Sequence, residues 1–220
     1  MQKSSGLLIT FEGTEGAGKS TLIRALAKDL LAAGYDCIRT REPGGSPVSE
    51  KIRGVILSES MDPWTELFLY EAARAEHMAR TIRPALEKSQ VVLCDRFTDS
   101  SLAYQAHARG LPWAEVKKLN RVATQGRQPD LTVWLDIDPA EGLSHAQDPN
   151  RFEAEGVAFQ ARVRAGFRRA RAEDPTRWLK VTARSGTPEE LAARVLRELK
   201  KRFAKKLVKT AAKTTLRKGD

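Results

Sequence analysis

The chain has 220 residues, 41% of them hydrophobic and 30% charged, with a formal net charge of +10. That length and balance suit a single soluble domain with a full core, and no apolar run approaches the roughly 20 residues that a membrane-spanning helix needs. Two cysteines and three widely separated histidines, none at ligand spacing, exclude a disulfide framework and a structural metal site.

The first predicted strand, LLITFE (7–12), is too continuously apolar for a sheet with one wet face and too short for the core of a signal peptide. The expectation is a buried strand in a cytoplasmic protein. It runs into FEGTEGAGKS (11–20), where Gly13, four further residues, then Gly18, Lys19 and Ser20 make the phosphate-binding loop pattern. Glycines let successive backbone N–H groups point at phosphate oxygens, and a helix predicted over 19–33 aims its positive end at the same anion. Gly13, Thr14, Glu15, Gly16, Ala17, Gly18, Lys19, Ser20 and Thr21 are the candidate ATP site. Lys19 would bridge the β- and γ-phosphates, and Ser20 would offer its hydroxyl oxygen to Mg²⁺. The acidic Glu15, inside a loop built for anions, needs a separate explanation.

DCIRT (36–40) is the second predicted strand, with Cys37 as a small hydrophobe. After it, TREPGGSPVSEKIR (40–53) falls where an open parallel sheet places its ligand crevice. Read as a loop, it contains Arg41 and Arg53, either solvated charges or ligand-facing cations, and Glu42-Pro43, where proline fixes the backbone. A helix predicted over 64–87 contains LYEAARAEH (69–77), which puts Tyr70 and Arg74 four apart on one face. An aromatic plane beside a guanidinium fork suits a planar base, although a core tyrosine beside a surface arginine has the same spacing. VVLCD (91–95) is the third strand, and its end opens CDRFTDSSLAYQ (94–105). There Asp95 is placed to hold Mg²⁺ or its water and Arg96 to grip a phosphate, followed by Ser100, Ser101, Tyr104 and Gln105.

Helical spacing returns over 113–125, LTVWLDI (131–137) is the fourth strand, and SHAQDPNRFEAEG (144–156) has the polar, Pro and Gly content of a mobile loop. A helix over 155–173, a strand WLKV (178–181) and a last helix over 188–204, opened by Thr187-Pro188-Glu189-Glu190, complete the pattern. The alternation implies an α/β fold, a five-stranded parallel sheet flanked by helices. Residues 200–220 hold nine Lys or Arg against one Asp, eight of the ten net charges. The expected domain is therefore 1–204, followed by a solvated basic tail (205–220) that touches nucleic acid only nonspecifically.

FEGTEGAGKS, TREPGG, LYEAAR, CDRFTDSSLAYQ and RQPDLTVWLD, in that order and spacing over about residues 7–204, resemble the bacterial thymidylate kinases. The resemblance implies the phosphate-loop NTPase fold of nucleoside monophosphate kinases, a lid over about residues 144–156, and a homodimer. It also implies transfer of the γ-phosphoryl group of ATP to thymidine monophosphate (dTMP), with Mg²⁺. Glu15 matches the acidic residue that relatives place near the deoxyribose 3′-hydroxyl and the metal-bound waters, so it faces the acceptor. Arg53 and Arg96 match acceptor-phosphate ligands, while Arg41 and Glu42 shape the same pocket. Arg74 and Gln105 match thymine contacts, with Ser100 and Ser101 beside them, and Tyr70 stands where relatives commonly have phenylalanine as the stacking ring.

The expected catalytic residues are thus Lys19, Glu15, Asp95 and Arg96, with Ser20 and Asp95 at the metal, and one arginine from the lid. The loop between Gly13 and Gly18 has no basic residue, and relatives built that way supply one from over the ATP. Arg151 is the matching position, ahead of Arg162 and Arg164 on the next helix, although Asn150 stands where such lids often have Asp. A kinase for another pyrimidine nucleoside monophosphate and a nucleotide-gated nucleic-acid binder are the alternatives. A GTP-hydrolysing switch would need an NKxD element, which the sequence does not contain.

Overall fold

The computed structural model describes residues 6–145 and 151–209, with the backbone only at Arg151 and Glu153. Strands β1 (Leu7–Glu12), β2 (Cys37–Arg41), β3 (Val91–Asp95), β4 (Leu131–Asp136) and β5 (Trp178–Thr182) form one parallel sheet in the order β2-β3-β1-β4-β5. β1 pairs with β3 from Leu7↔Val91 and with β4 from Ile9↔Leu131. The chain leaves β1 toward β2 on one side and later crosses from β3 to β4 on the other. The ligand crevice of such a sheet lies at that switch, outside the carboxyl end of β1, where the phosphate loop begins.

Every residue of β1 is buried, and the period of two sends its side chains to opposite faces. Leu7, Ile9 and Phe11 join a core with Leu22, Leu26 and Leu30 of α1 (Lys19–Ala32) and Val195 and Leu199 of α10 (Pro188–Phe203), whereas Leu8 packs with Met78, Ile82 and Val92. A third cluster brings Trp134 and Trp178 against Phe159 and Phe167 of α9 (Gly156–Glu173). α10 starts as its sequence dictates. The Thr187 hydroxyl accepts from the Glu190 N–H at 3.2 Å, and the Thr187 N–H donates to the Glu190 carboxylate at 2.8 Å.

The structure corrects or extends the sequence reading along several stretches. TREPGGSPVSEKIR is a loop only to Ser46, whose hydroxyl accepts from Ser49 N–H and caps α2 (Pro47–Ser58), so Arg53 rides on a helix. The single helix expected over 64–87 is α3 (Pro63–His77), a wider π turn (Met78–Ile82) and α4 (Arg83–Glu87). Pro84 lacks an N–H and would crowd the carbonyl one turn earlier, which the wider turn relieves. CDRFTDSSLAYQ continues as α5 (Thr98–Ser101) and a second π stretch (Leu102–Ala108). Beyond α6 (Trp113–Ala123) and α7 (Pro139–Ser144), the expected loop over 144–156 is helical at α8 (Arg151–Ala154), and residues 146–150 lie outside the described residues.

The chain also stays packed past residue 204. Leu207 lies against the α1 and α10 cluster, Lys206 pairs with Asp130 at 2.9 Å, and Lys209 bridges to Tyr35. A tail starting at 205 was therefore too early an expectation, because apolar residues among the lysines still find the core. Residues 210–220 lie outside the described residues.

Candidate active site

Gly13, Gly16 and Gly18 have φ of 152°, 69° and 84°, and these conformations curl the chain into the phosphate loop. A Cβ at Gly16 would stand 1.8 Å from the carbonyl oxygen of Gly142 in α7, so only glycine fits there. Lys19, buried at 7% exposure, donates to the carbonyls of Thr14 (3.0 Å) and Gly13 (3.4 Å). Burial and then the charge of Arg96 hold its ammonium below the ordinary lysine range, a strain that a bound phosphate would relieve. The Ser20 hydroxyl donates to Asp95 at 2.7 Å, which brings the two expected metal residues to one spot.

Arg96, next after Asp95, has φ 66°, a left-handed conformation that costs a non-glycine residue about 1–3 kcal/mol. Its guanidinium donates to the Gly13 carbonyl at 2.9 Å and to the Glu15 carboxylate at 2.6 Å. Tyr104 places its ring 5.0 Å under that guanidinium and gives its hydroxyl proton to the same Glu15 oxygen at 3.0 Å. Burial by itself would raise the Glu15 pKa, but the Arg96 and Lys19 charges outweigh it and bring it to about 2. Glu15 is thus a fixed anion held by Arg96 and Tyr104.

Glu15 and Arg96 form part of the wall of a cavity that also includes Glu42, Tyr70, Arg74, Ser100, Ser101 and Gln105. Arg74 is 1% exposed. Its Nε donates to Glu42 (2.8 Å), Nη1 to Glu71 (2.8 Å) and Asn120 (2.6 Å), and Nη2 to the Phe97 carbonyl (3.2 Å) and Ser101 hydroxyl (3.0 Å). All five of its N–H donors have protein partners. Glu42, followed by a cis peptide to Pro43, also meets His77 Nδ1 at 3.1 Å, and the Gln105 amide donates to Glu66 at 2.8 Å. Arg41 and Arg53 stand outside the cavity wall: Arg41 pairs with Glu50 at 2.9 Å and Arg53 donates to the Pro43 carbonyl at 2.9 Å. Burial first, then the charge of Arg41, lowers the Arg53 pKa against the pull of Glu50, and Arg96 adds to the lowering.

A family model described as thymidylate kinase matches residues 11–195. A thymidylate kinase of Synechococcus sp. (strain JA-3-3Ab) is 45% identical over 198 residues, 90% of this chain and 97% of the relative. The chain belongs to the thymidylate kinase family. A thymidylate kinase of Bacillus licheniformis is 46% identical, covering 81% of this chain and 88% of the relative. The crystal structure of thymidylate kinase from Ehrlichia chaffeensis superimposes with a TM-score of 0.74 at 31% identity over 89% of this chain and 99% of that one. The fold is accordingly the phosphate-loop NTPase fold.

Within that thymidylate kinase frame, three cavity residues had no role assigned from the sequence: Phe97, Tyr104 and Phe152. Tyr104 lies four residues after Ser100, a spacing that puts both on one helical face and could have flagged it. Phe152 is 3% exposed, with its ring 6.4 Å from that of Tyr70 and 5.8 Å from that of Tyr104, and no local pattern marks it. The side chain of Arg151 lies outside the described residues. Of its rivals, Arg164 donates to Asp136 at 2.6 Å and Arg162 lies 5.5 Å over the Phe159 ring. Glu12, passed over as the last residue of a strand, is fully buried; its pKa is raised to about 8 by burial and then by the Asp99 charge.

Proposed function

We propose that this protein transfers the γ-phosphoryl group of ATP to dTMP, giving ADP and thymidine diphosphate (dTDP). The observation that carries the reading is the double membership of Glu15 and Arg96. Glu15 belongs to the phosphate loop and Arg96 donates to that loop at Gly13, yet both line the acceptor cavity. A donor cradle and an acceptor cavity that share two residues bring two bound nucleotides end to end, as direct transfer requires.

In this reading Lys19 leaves the Gly13 and Thr14 carbonyls for the ATP phosphates, and Arg53 and Arg96 hold the acceptor phosphate. Glu15 receives the 3′-hydroxyl, Tyr70 stacks on thymine, and Arg74 and Gln105 face its edge. The attacking phosphate oxygen is already largely ionised at neutral pH, so the residues supply position and positive charge and no general base is needed. Ser20 and Asp95 are hard oxygen donors at one spot, which fits Mg²⁺, and they would hold it. When bound, that ion neutralises charge on the phosphate oxygens. Arg151 brings the remaining positive charge.

The reading includes a cytoplasmic homodimer. Among the described residues no helix is long and apolar enough to cross a membrane. Trp64 and Phe68 stack at 5.9 Å on α3, 36% and 54% exposed, an aromatic patch that a second copy would cover. Incubating the purified protein with ATP, Mg²⁺ and dTMP and separating the nucleotides tests the activity. Equal yields of ADP and dTDP are expected, and ADP without dTDP would contradict it.

A further inference from the structure

The last two residues of β1 hold the two backbone N–H groups on either side of the strained Arg96. Phe11 accepts the Arg96 N–H on its carbonyl at 3.0 Å, and Glu12 accepts the Phe97 N–H on Oε1 at 2.8 Å. The other Glu12 oxygen lies 2.5 Å from the Ser100 hydroxyl, and Ser100 Oγ is in turn 3.4 Å from Arg96 Nη1. A left-handed non-glycine residue persists only where its surroundings over-determine it. Here a buried carboxyl group, not in contact with the acceptor cavity, does so at the corner that presents Arg96.

We propose that Glu12 is a positioning residue of the acceptor site, fixing Arg96 against the acceptor phosphate through the Phe97 N–H and the Ser100 hydroxyl. The inference rests on the thymidylate kinase activity proposed above. Glu12 acts by hydrogen bonding and not by charge. The charged groups that act on it are Asp99, Arg96, Lys19 and Arg177, while burial keeps the nearby Cys94 thiol neutral. An ionised Glu12 among them would compete with Glu15 for the Arg96 guanidinium, whereas the neutral form, which burial and Asp99 favour, leaves Arg96 to Glu15 and to phosphate. The Ser100 hydroxyl would donate to an ionised Glu12, whereas a neutral Glu12 donates from its protonated Oε2 to Ser100 Oγ. Glutamine has the shape and polarity of that neutral form, with a carbonyl for the Phe97 N–H and an amide N–H donating to Ser100 Oγ.

Steady-state kinetics of the full chain with ATP and dTMP tests the assignment. Glu12→Ala orphans the buried Phe97 N–H, and it is expected to raise the KM for dTMP at least tenfold while the KM for ATP stays within about threefold. Glu12→Gln is expected to restore the dTMP KM to within about threefold of the parent. Glu12→Asp, one methylene too short to reach both partners, provides the same test if the alanine variant does not fold, and the same selective rise is expected. An unchanged dTMP KM in the folded variants, an equal rise for both substrates, or failure of Gln to rescue overturns the positioning role. Absence of dTDP formation by the parent overturns the activity reading itself, which separates the two failures.

Discussion

The carboxylate of Glu15, in the phosphate loop, lies 2.6 Å from the guanidinium of Arg96, at the end of β3. This pair ties the donor cradle to the acceptor cavity. Its pKa has a consequence for stability: the folded value, about 2, lies below the ordinary 4.5. A depressed carboxylate contributes stability above its unfolded pKa and loses it as pH falls, here between about 4.5 and about 2. The full contribution is about 3 kcal/mol at roughly 1.4 kcal/mol per pKa unit. Glu15→Gln is expected to be less stable than the parent at pH 7 and to lose less on acidification through that window. Urea unfolding at several pH values checks this; parallel acid losses in the two proteins would contradict it.

Arg74 neutralises Glu42 and Glu71, both of them buried. Burial alone would lower its pKa, but the two carboxylates raise it instead, so the charge is permanent. Arg74→Ala leaves both carboxylates without a counter-charge and is expected to cost about 3–5 kcal/mol. Arg74→Lys keeps the charge but not the fork of five donors, and is expected to fold while losing at least about tenfold in kcat/KM for dTMP. Thermal melts and kinetics on the two variants decide the matter, and an alanine variant melting with the parent would contradict it.

Much of this was legible in the sequence because the signals were local. The apolar LLITFE, the glycine spacing after it and the Thr187-Glu190 cap each fix their own backbone, and strand, loop and helix follow. The motif residues also converge: Glu15, Glu42, Tyr70, Arg74, Arg96, Ser100, Ser101 and Gln105 all reach one cavity. What was not legible depends on tertiary placement. Gly44, Gly45 and Pro47 resemble loop punctuation until the Ser46 hydroxyl is seen to cap a helix. Nothing around Phe152 says that its ring meets Tyr70, some 80 residues away in the chain. Glu12 looked like a strand end because its partners, Phe97 and Ser100, come from another strand's exit.

Arg151 gains support from the engagement of its rivals. Arg164 is held by Asp136, itself bound to Lys180, at the carboxyl end of β4, and Arg162 is drawn to Phe159 and the Ala108 carbonyl. An arginine over a migrating phosphoryl group is worth about 10³ or more in rate. Arg151→Ala is therefore expected to lower kcat at least about 100-fold and to change dTMP affinity little, since the contact strengthens in the transition state. Single-turnover and steady-state rates test it. A kcat within threefold of the parent, with collapse in Arg162→Ala or Arg164→Ala, would move the role to α9.

The packing of Leu207 and the Lys206–Asp130 pair divide the basic extension in two. Truncation after Lys209 is expected to leave kcat within about twofold and the melting temperature unchanged. Truncation after Ala204 removes the packed part and is expected to lower the melting temperature by several degrees, about 1 kcal/mol for a chain of this size. Melting curves of the two truncated proteins give the answer, and identical curves would show that residues 205–209 contribute nothing.

Arg74 has donors and no acceptor, so it cannot accept from an amino group. All five donors are engaged by protein groups, and an oxygen at position 4 of a pyrimidine would be met only by an Nη2 N–H released from the Phe97 carbonyl (3.2 Å) or the Ser101 hydroxyl (3.0 Å). The most direct measurement is therefore kcat/KM, by coupled ADP release, over a panel of nucleoside monophosphates with ATP and Mg²⁺. A thymidylate kinase gives dTMP as the preferred acceptor, deoxyuridine monophosphate as a weaker one, and cytidine, adenosine and guanosine monophosphates as nearly inert. Comparable values for cytidine monophosphate and dTMP would contradict it.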